Sequence, residues 1–334
     1  MTAAHRIVLS KIGVLFALLI GGFVVRRRGV LTDETARQLS RLVVDMALPA
    51  LAFAQLVRTI DGPALREGWL LPLLALLIFV VAQICGLLTM RVFSAPGGRR
   101  SYVFLAATPN WVFLPLLIAE ALYGAAGTRT VFLYNAGALL ALFTLGVGTL
   151  RARRPDLALL RELALNPGLL ASLLGVAVAA FAPAVRALMV APLGELGGLQ
   201  LVAATALSAL ALFGGVTVPL SIFVTGALLG ALELRVLRPD RPLVGVLLTR
   251  LLLAPAMTAL VLWLLLRAGL ALSPSAALVG LLISAMPVAI SGGLFAERFD
   301  GDVPLAARAV FYSTLGALVS VPAAFPLFEK LLAR

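Results

Sequence analysis

Long apolar stretches separated by short basic clusters run from one end of the chain to the other. A stretch of about 20 apolar residues crosses a bilayer core as a helix, because the helix satisfies its own backbone N–H and C=O groups where no water can. The pattern predicts ten such spans, at 7–25, 38–57, 69–90, 102–123, 131–150, 167–185, 206–232, 244–265, 276–296 and 305–328. The first is too long for a cleavable signal and runs into Arg26, Arg27 and Arg28. Leu196 to Leu232 is ambiguous: 37 uncharged residues with Gly214 and Gly215 near the middle read as one span with an interfacial helix or as two short spans.

Composition excludes the main alternative. Of 334 residues, 62% are apolar and 13% charged, with a mean hydropathy of +1.08. Soluble domains need about 25% charged residues to solvate their surfaces, so the fold class expected is an all-α integral membrane protein. One histidine (His5) and one cysteine (Cys85) leave no material for a His-based metal centre, a Ser/His/Asp triad or an intrachain disulfide. No segment ends in Gly-Lys-Ser/Thr, so no nucleotide-powered step is expected, and no cofactor is implied. Only Lys11 and Lys330 are lysines, a bias that points to a GC-rich bacterial gene.

The formal charge of +12 would suggest nucleic acid in a soluble protein, but here the arginines sort by loop. Sixteen basic residues fall in odd-numbered connections, among them Arg37, Arg91, Arg99, Arg100, Arg151, Arg153, Arg154, Arg161, Arg235, Arg238, Arg241 and Arg298, against nine in the even connections and termini. The positive-inside rule then places the odd connections in the cytoplasm and both termini outside, in a bacterial plasma membrane. An eleventh span near Gly214 would move Arg235, Arg238 and Arg241 outside, which favours ten.

Ten spans divide into five plus five: a first repeat over 1–150, a cytoplasmic linker over 151–166 and a second repeat over 167–334. Val131 to Leu139 matches Val310 to Leu318 at five of nine positions, and Pro109 in span four falls opposite Pro287 in span nine after a one-residue adjustment. Odd-numbered halves run in opposite directions, so the repeat would be inverted, a common transporter architecture. Proline breaks the hydrogen-bond ladder of a helix. Span four holds Thr108, Pro109, Asn110 and Pro115; span nine holds Pro287 and Ser291 before Gly292 and Gly293. Broken backbone at mid-membrane is tolerated where it lines a cavity, and the N-termini of half-helices there attract anions. Simple proline kinks are the alternative, since Pro49, Pro72, Pro219, Pro255 and Pro322 also lie in spans.

At these residues the chain resembles the auxin efflux carrier family, whose bacterial members include malate and malonate permeases. The likeness runs through Gly21 to Leu31, Leu42 to Leu51, Val218 to Ala227, the Met286-Pro287-Val288-Ala289 segment through Arg298, and Ser313-Thr314 with Pro322. It implies ten helices in two inverted repeats with crossover helices four and nine. One departure concerns span four, where the family has glycines before Gly-Leu-Pro or Gly-Ile-Pro. Here Asn110-Trp111-Val112-Phe113-Leu114-Pro115 keeps the Asn and the Pro but substitutes bulky residues, which implies a smaller or more apolar pocket.

Ionisable residues inside spans are functional candidates. Asp45, on one helix face with Pro49, reads as a proton carrier or cation ligand, or as an acid paired with a loop arginine. Arg250 reads as a contact for a substrate carboxylate, as a partner of Asp45, or as a snorkelling cation. Asn110 can donate two hydrogen bonds to a carboxylate and can also cap the half-helix that follows; Ser291 is its expected counterpart on span nine. Asn135 and Thr314 read as polar glue between helices.

These observations predict a secondary transporter of a small organic anion, with Thr108, Pro109, Asn110, Pro115, Pro287 and Ser291 at the substrate and Asp45 and Arg250 as the coupling or ionisable pair. The expected partners are the anion, membrane lipid, a coupling proton or sodium ion and a second copy in a homodimer, with no nucleic acid. Three other classes remain open: a sodium-coupled carrier of the bile-acid symporter type, an intramembrane enzyme, and a non-transporting sensor of the same fold.

Overall fold

The computed structural model describes residues 3–62, 66, 68–151, 157–231 and 238–332. Arg153, Arg154, Arg235 and Arg334, part of the charge sorting, lie outside the described residues. The described residues form helices and no strand. In chain order they are α1 (Ala3–Arg27), α2 (Asp33–Thr59), α3 (Leu71–Phe93), α4 (Arg99–Ala107), α5 (Phe113–Arg151), α6 (Leu157–Ala164) and α7 (Pro167–Phe181). Then follow α8 (Pro183–Val190), α9 (Gly198–Gly230), α10 (Arg241–Arg267), α11 (Pro274–Ser284), α12 (Gly292–Arg298) and α13 (Val303–Leu332).

Helix starts follow local chemistry. Asn166, Asp240 and Ser273 each accept a hydrogen bond from a backbone N–H of the first turn of α7, α10 and α11. Pro167, Pro242 and Pro274 occupy the first turn, where a missing N–H costs nothing. Among the described residues seven helices (α1, α2, α3, α5, α9, α10, α13) are long and apolar enough to cross a membrane, and α6 with α7, bent by 52°, makes an eighth if counted as one.

Several elements differ from the sequence expectation. Span four begins as α4, stops at Ala107 and resumes as the first part of α5. The expected loop before span five is instead a sharp corner at Gly124 (φ 58°, ψ −140°), a conformation open to glycine. Span nine is α11 and α12 with irregular backbone between. Pro115 breaks nothing: it lies in the first turn of α5, where no intrahelical N–H bond is lost. The ambiguous stretch holds one long helix, α9, with Gly214 and Gly215 at a joint rather than at the end of a span. The region read as a linker contains α6, because Leu159 and Leu163 bury one face among Phe143, Val147 and Phe295.

Two groups of helices result. The first half of α9's partner surface is α2, whose Leu48–Thr59 part packs on Gly198–Gly215 and on α7, while Thr217–Gly230 packs on α1. In the other group α3 packs on α4, α5 and the second part of α10, α11 packs on α5, and α13 packs on the start of α10 and on α11 and α12. A lipid-facing bundle has little hydrophobic drive between helices, so close backbone approach matters. At α1–α9 this approach is reciprocal: a Cβ on Gly22 would sit 1.9 Å from the Phe223 carbonyl oxygen, and one on Gly226 would sit 1.9 Å from that of Leu19. Gly226→Ala is expected to push the helices apart and lower stability by roughly 1–3 kcal/mol, read as a fall in thermal unfolding temperature of the purified protein. Gly13→Ala, with nothing within 4 Å of the added methyl, should not lower it.

Candidate functional site

The two breaks meet. Residues 108–112 and 285–291 carry the chain between half-helices, and Pro109 and Val288 face each other in an antiparallel bridge. Asn110 N–H donates to the Pro287 carbonyl at 2.8 Å and Ala289 N–H donates to that of Thr108 at 2.9 Å. Val288 N–H donates to Ser313 Oγ of α13 at 3.0 Å. Backbone that proline has removed from its helical ladder thus finds partners across the crossing, which is the condition for irregular chain in an apolar interior. Thr108, Asn110, Ser284 and Ser313 are all buried.

Each predicted residue has a definite place. Asn110 Oδ1 accepts from Phe113 N–H at 3.1 Å, so the residue caps α5, and its Nδ2 has no partner among the described residues. Pro115 lies one turn further on. The bridge sets Ala289 against Thr108 and Asn110 against Pro287, and Ser291 lies beyond it, at the start of α12. Ser291 precedes α12 without a side-chain cap bond. Thr314 also differs from expectation: its hydroxyl donates to Val310 of its own helix at 2.6 Å, a local bond that competes with interhelical pairing.

Arg250 departs furthest from the readings open to it. It is wholly buried and neither snorkels nor pairs with Asp45. Its Nη1 donates to the Ala106 carbonyl at 3.0 Å and its Nη2 donates to the Ser284 carbonyl. Those are the C-terminal carbonyls of α4 and α11, orphaned because the helices stop there. One guanidinium fork therefore closes both half-helices, and its charge opposes two C-terminal ends of about half a negative charge each.

The position of Arg250 follows from Pro255. A proline ring crowds the carbonyl four residues back, and the preceding turn, Thr249–Leu253, is wound as a π-helix. The same pairing occurs at Val43–Ala47, before Pro49, and that turn carries Asp45. Around Arg250 the turn is clamped by a ring of three hydroxyls: Tyr102 Oη lies 3.0 Å from Thr89 Oγ1 and 3.0 Å from Thr249 Oγ1, which are 2.9 Å apart. Asp45, by contrast, is exposed on α2 and forms no ion pair among the described residues. The structure does not bring the two charges together.

Trp111 was read from the sequence only as bulk. Its ring is buried in the break and its Nε1 has no hydrogen-bond partner among the described residues; the same holds for Arg250 Nε. Buried donors without acceptors are uncommon in folded proteins. Beside the crossing, Ile12, Leu15, Leu114, Ile222, Met286 and Thr314 line an apolar crevice between α1, α9 and the broken helices. It offers about 20 Å³, room for no more than a water molecule or two. Among the described residues no cluster of His, Cys, Asp and Glu could hold a metal ion.

Comparison with known proteins supplies the context for this geometry. The model of a family described as membrane transport protein matches residues 7–324. An uncharacterized transporter of Methanothermobacter thermautotrophicus is 29% identical over 307 residues, covering 91% of this chain and 93% of that protein. With a match running from the first helix into the last, the chain belongs to the membrane transport protein family, the auxin efflux carrier family that its span motifs resemble.

Proposed function

We propose that the protein is a secondary transporter of a small organic anion, a carboxylate, working by alternating access at the crossing of its two broken helices. The observation that carries the anion is the set of unpartnered donors there: Asn110 Nδ2 on the cap, and the buried Trp111 Nε1 and Arg250 Nε. Because Arg250 offsets the C-terminal ends of α4 and α11, the N-terminal end of α5, in its part before the Gly124 corner, is left as a positive pole beside Asn110. No described carboxylate pairs with Arg250, and a carboxylate substrate would accept from the donors left over.

On this reading the chain has ten spans in two inverted five-helix repeats over 1–150 and 167–334, with α4 and the start of α5 crossing α11 and α12. The odd-numbered connections face the cytoplasm of a bacterial inner membrane, with both termini outside. The group holding α1, α2, α7 and α9 is the scaffold, and the crossing group moves against it, opening the crevice at Leu114 and Met286 first to one side and then the other. Coupling to protons or sodium would fall to Asp45, the carboxylate exposed in its π-turn on α2. A homodimer would cover the exposed face of α2.

Reconstituted protein in proteoliposomes tests this directly. An imposed proton or sodium gradient should drive saturable uptake of at least one labelled small carboxylate, and internal unlabelled carboxylate should accelerate exchange. Flux indistinguishable from protein-free vesicles across a panel of carboxylates, under either gradient and in both directions, would reject carboxylate transport.

A further inference from the structure

A second site lies away from the crossing, where the ends of three connections converge. Arg100 at the start of α4, Arg151 at the end of α5, Arg161 on α6 and Arg298 at the end of α12 line one open recess of about 960 Å³, with Glu162 and Asp300 as its carboxylates. Its volume is at the upper end of the range for small-molecule sites, roughly 300–1,000 Å³. None of these residues takes part in the crossing.

The recess is built rather than merely basic. The guanidinium carbons of Arg151 and Arg298 lie 5.8 and 5.4 Å from the centre of the Phe299 ring, which orders both cations. Phe299 stacks on Phe295, which packs in turn on Phe104 and Phe143, so the floor is anchored in the helix bundle. Beyond it the turn is held by Gly301 N–H to the Ala296 carbonyl and by Asp302 N–H to Ser101 Oγ. Glu162 is engaged by Arg298 at 2.5 Å. The guanidinium groups of Arg100 and Arg161 have no ion pair or hydrogen bond among the described residues.

Electrostatics makes this arrangement unfavourable when empty. Arg100 sits in the first turn of α4, which has no acidic residue, and a cation at the positive end of a helix is on the wrong side of the dipole. An anion relieves that repulsion together with the repulsion among the guanidiniums. Forked donors from separate elements suit a group with three oxygens and up to two negative charges better than a single carboxylate. We propose that this recess binds a phosphate group, carried either by an anionic phospholipid whose acyl chains lie along the adjoining apolar surface or by a soluble phosphate.

The test uses the full-length protein in neutral detergent and in nanodiscs. Inorganic phosphate should raise the thermal unfolding temperature saturably, beyond chloride at equal ionic strength, if the soluble form is the ligand. Phosphatidylglycerol added to phosphatidylcholine nanodiscs should do so if the ligand is a headgroup. In either arm Arg100→Gln/Arg161→Gln should weaken half-saturation about tenfold or more, the loss of one charge-assisted contact being enough for that. Arg100→Lys/Arg161→Lys should weaken it less, and Arg91→Gln, outside the recess, should not change it. Asn110→Ala should also leave it unchanged, which keeps this outcome separate from that of the transport reading. No saturable rise in either arm, a rise equal to that in chloride, or a glutamine double variant that responds like the parent would overturn the proposal.

Discussion

Arg250→Met is expected to abolish transport and to lower stability by about 2–5 kcal/mol, the range for removing one partner from a buried charged contact. Methionine keeps an unbranched apolar stem, so little of the loss comes from packing along the stem. What disappears is the fork that closes α4 and α11, leaving the carbonyls of Ala106 and Ser284 buried and unpaired. Part of this loss is returned because a wholly buried guanidinium is itself costly to desolvate. The balance still favours arginine, since both acceptors are helix C-termini whose partial negative charge adds to the hydrogen bonds. Arg250→Lys retains the charge but replaces the fork with a point donor, so it should recover most of the stability and only part of the transport. Thermal unfolding of the purified variants and flux in proteoliposomes measure the two effects separately. A methionine variant with parental melting and flux would remove Arg250 from the crossing's mechanism.

Asn110→Ala is expected to reduce carboxylate flux to background while costing about 1 kcal/mol of stability, the usual value of an N-cap. The asymmetry between those two numbers is what distinguishes a site residue from a cap. If Asn110 only satisfied Phe113 N–H, Asn110→Ser and Asn110→Asp would restore function along with the cap. If its Nδ2 also donates to the substrate, serine should recover less flux than stability, and aspartate should recover almost no flux because it places a negative charge where an anion must bind. Parental flux in Asn110→Ala would take the residue out of the site.

The fold class and the positions of the breaks were legible along the chain because they are local properties. Apolar run length reports a span, a proline reports a missing N–H, and Asn, Asp or Ser before proline reports a helix start, so Pro109 and Pro287 could be read as break points in isolation. Pro115 and Pro255 show where that local reading fails. A proline in a first turn breaks nothing, and a proline after a π-turn re-aims a residue four or five positions earlier, depending on which helix packs there. Trp111 and the recess around Phe299 carry no pattern at all in sequence. An indole N–H becomes an unpaired donor only once its surroundings exclude water, and Arg100, Arg161 and Arg298 become one cluster only when α4, α6 and α12 end side by side.

By itself the sequence determined that this chain is an all-helical membrane protein with two proline-broken segments and a transporter's family motifs, since hydropathy, proline and motif are each read within a few residues. Only the tertiary structure decided that the breaks bond to each other, Asn110 to Pro287 and Ala289 to Thr108, and that Arg250 closes both half-helices while Asp45 stays apart. Those outcomes depend on contacts between residues 34 to well over a hundred positions apart, and which distant group satisfies a buried carbonyl is settled by packing geometry rather than by the local pattern around either one.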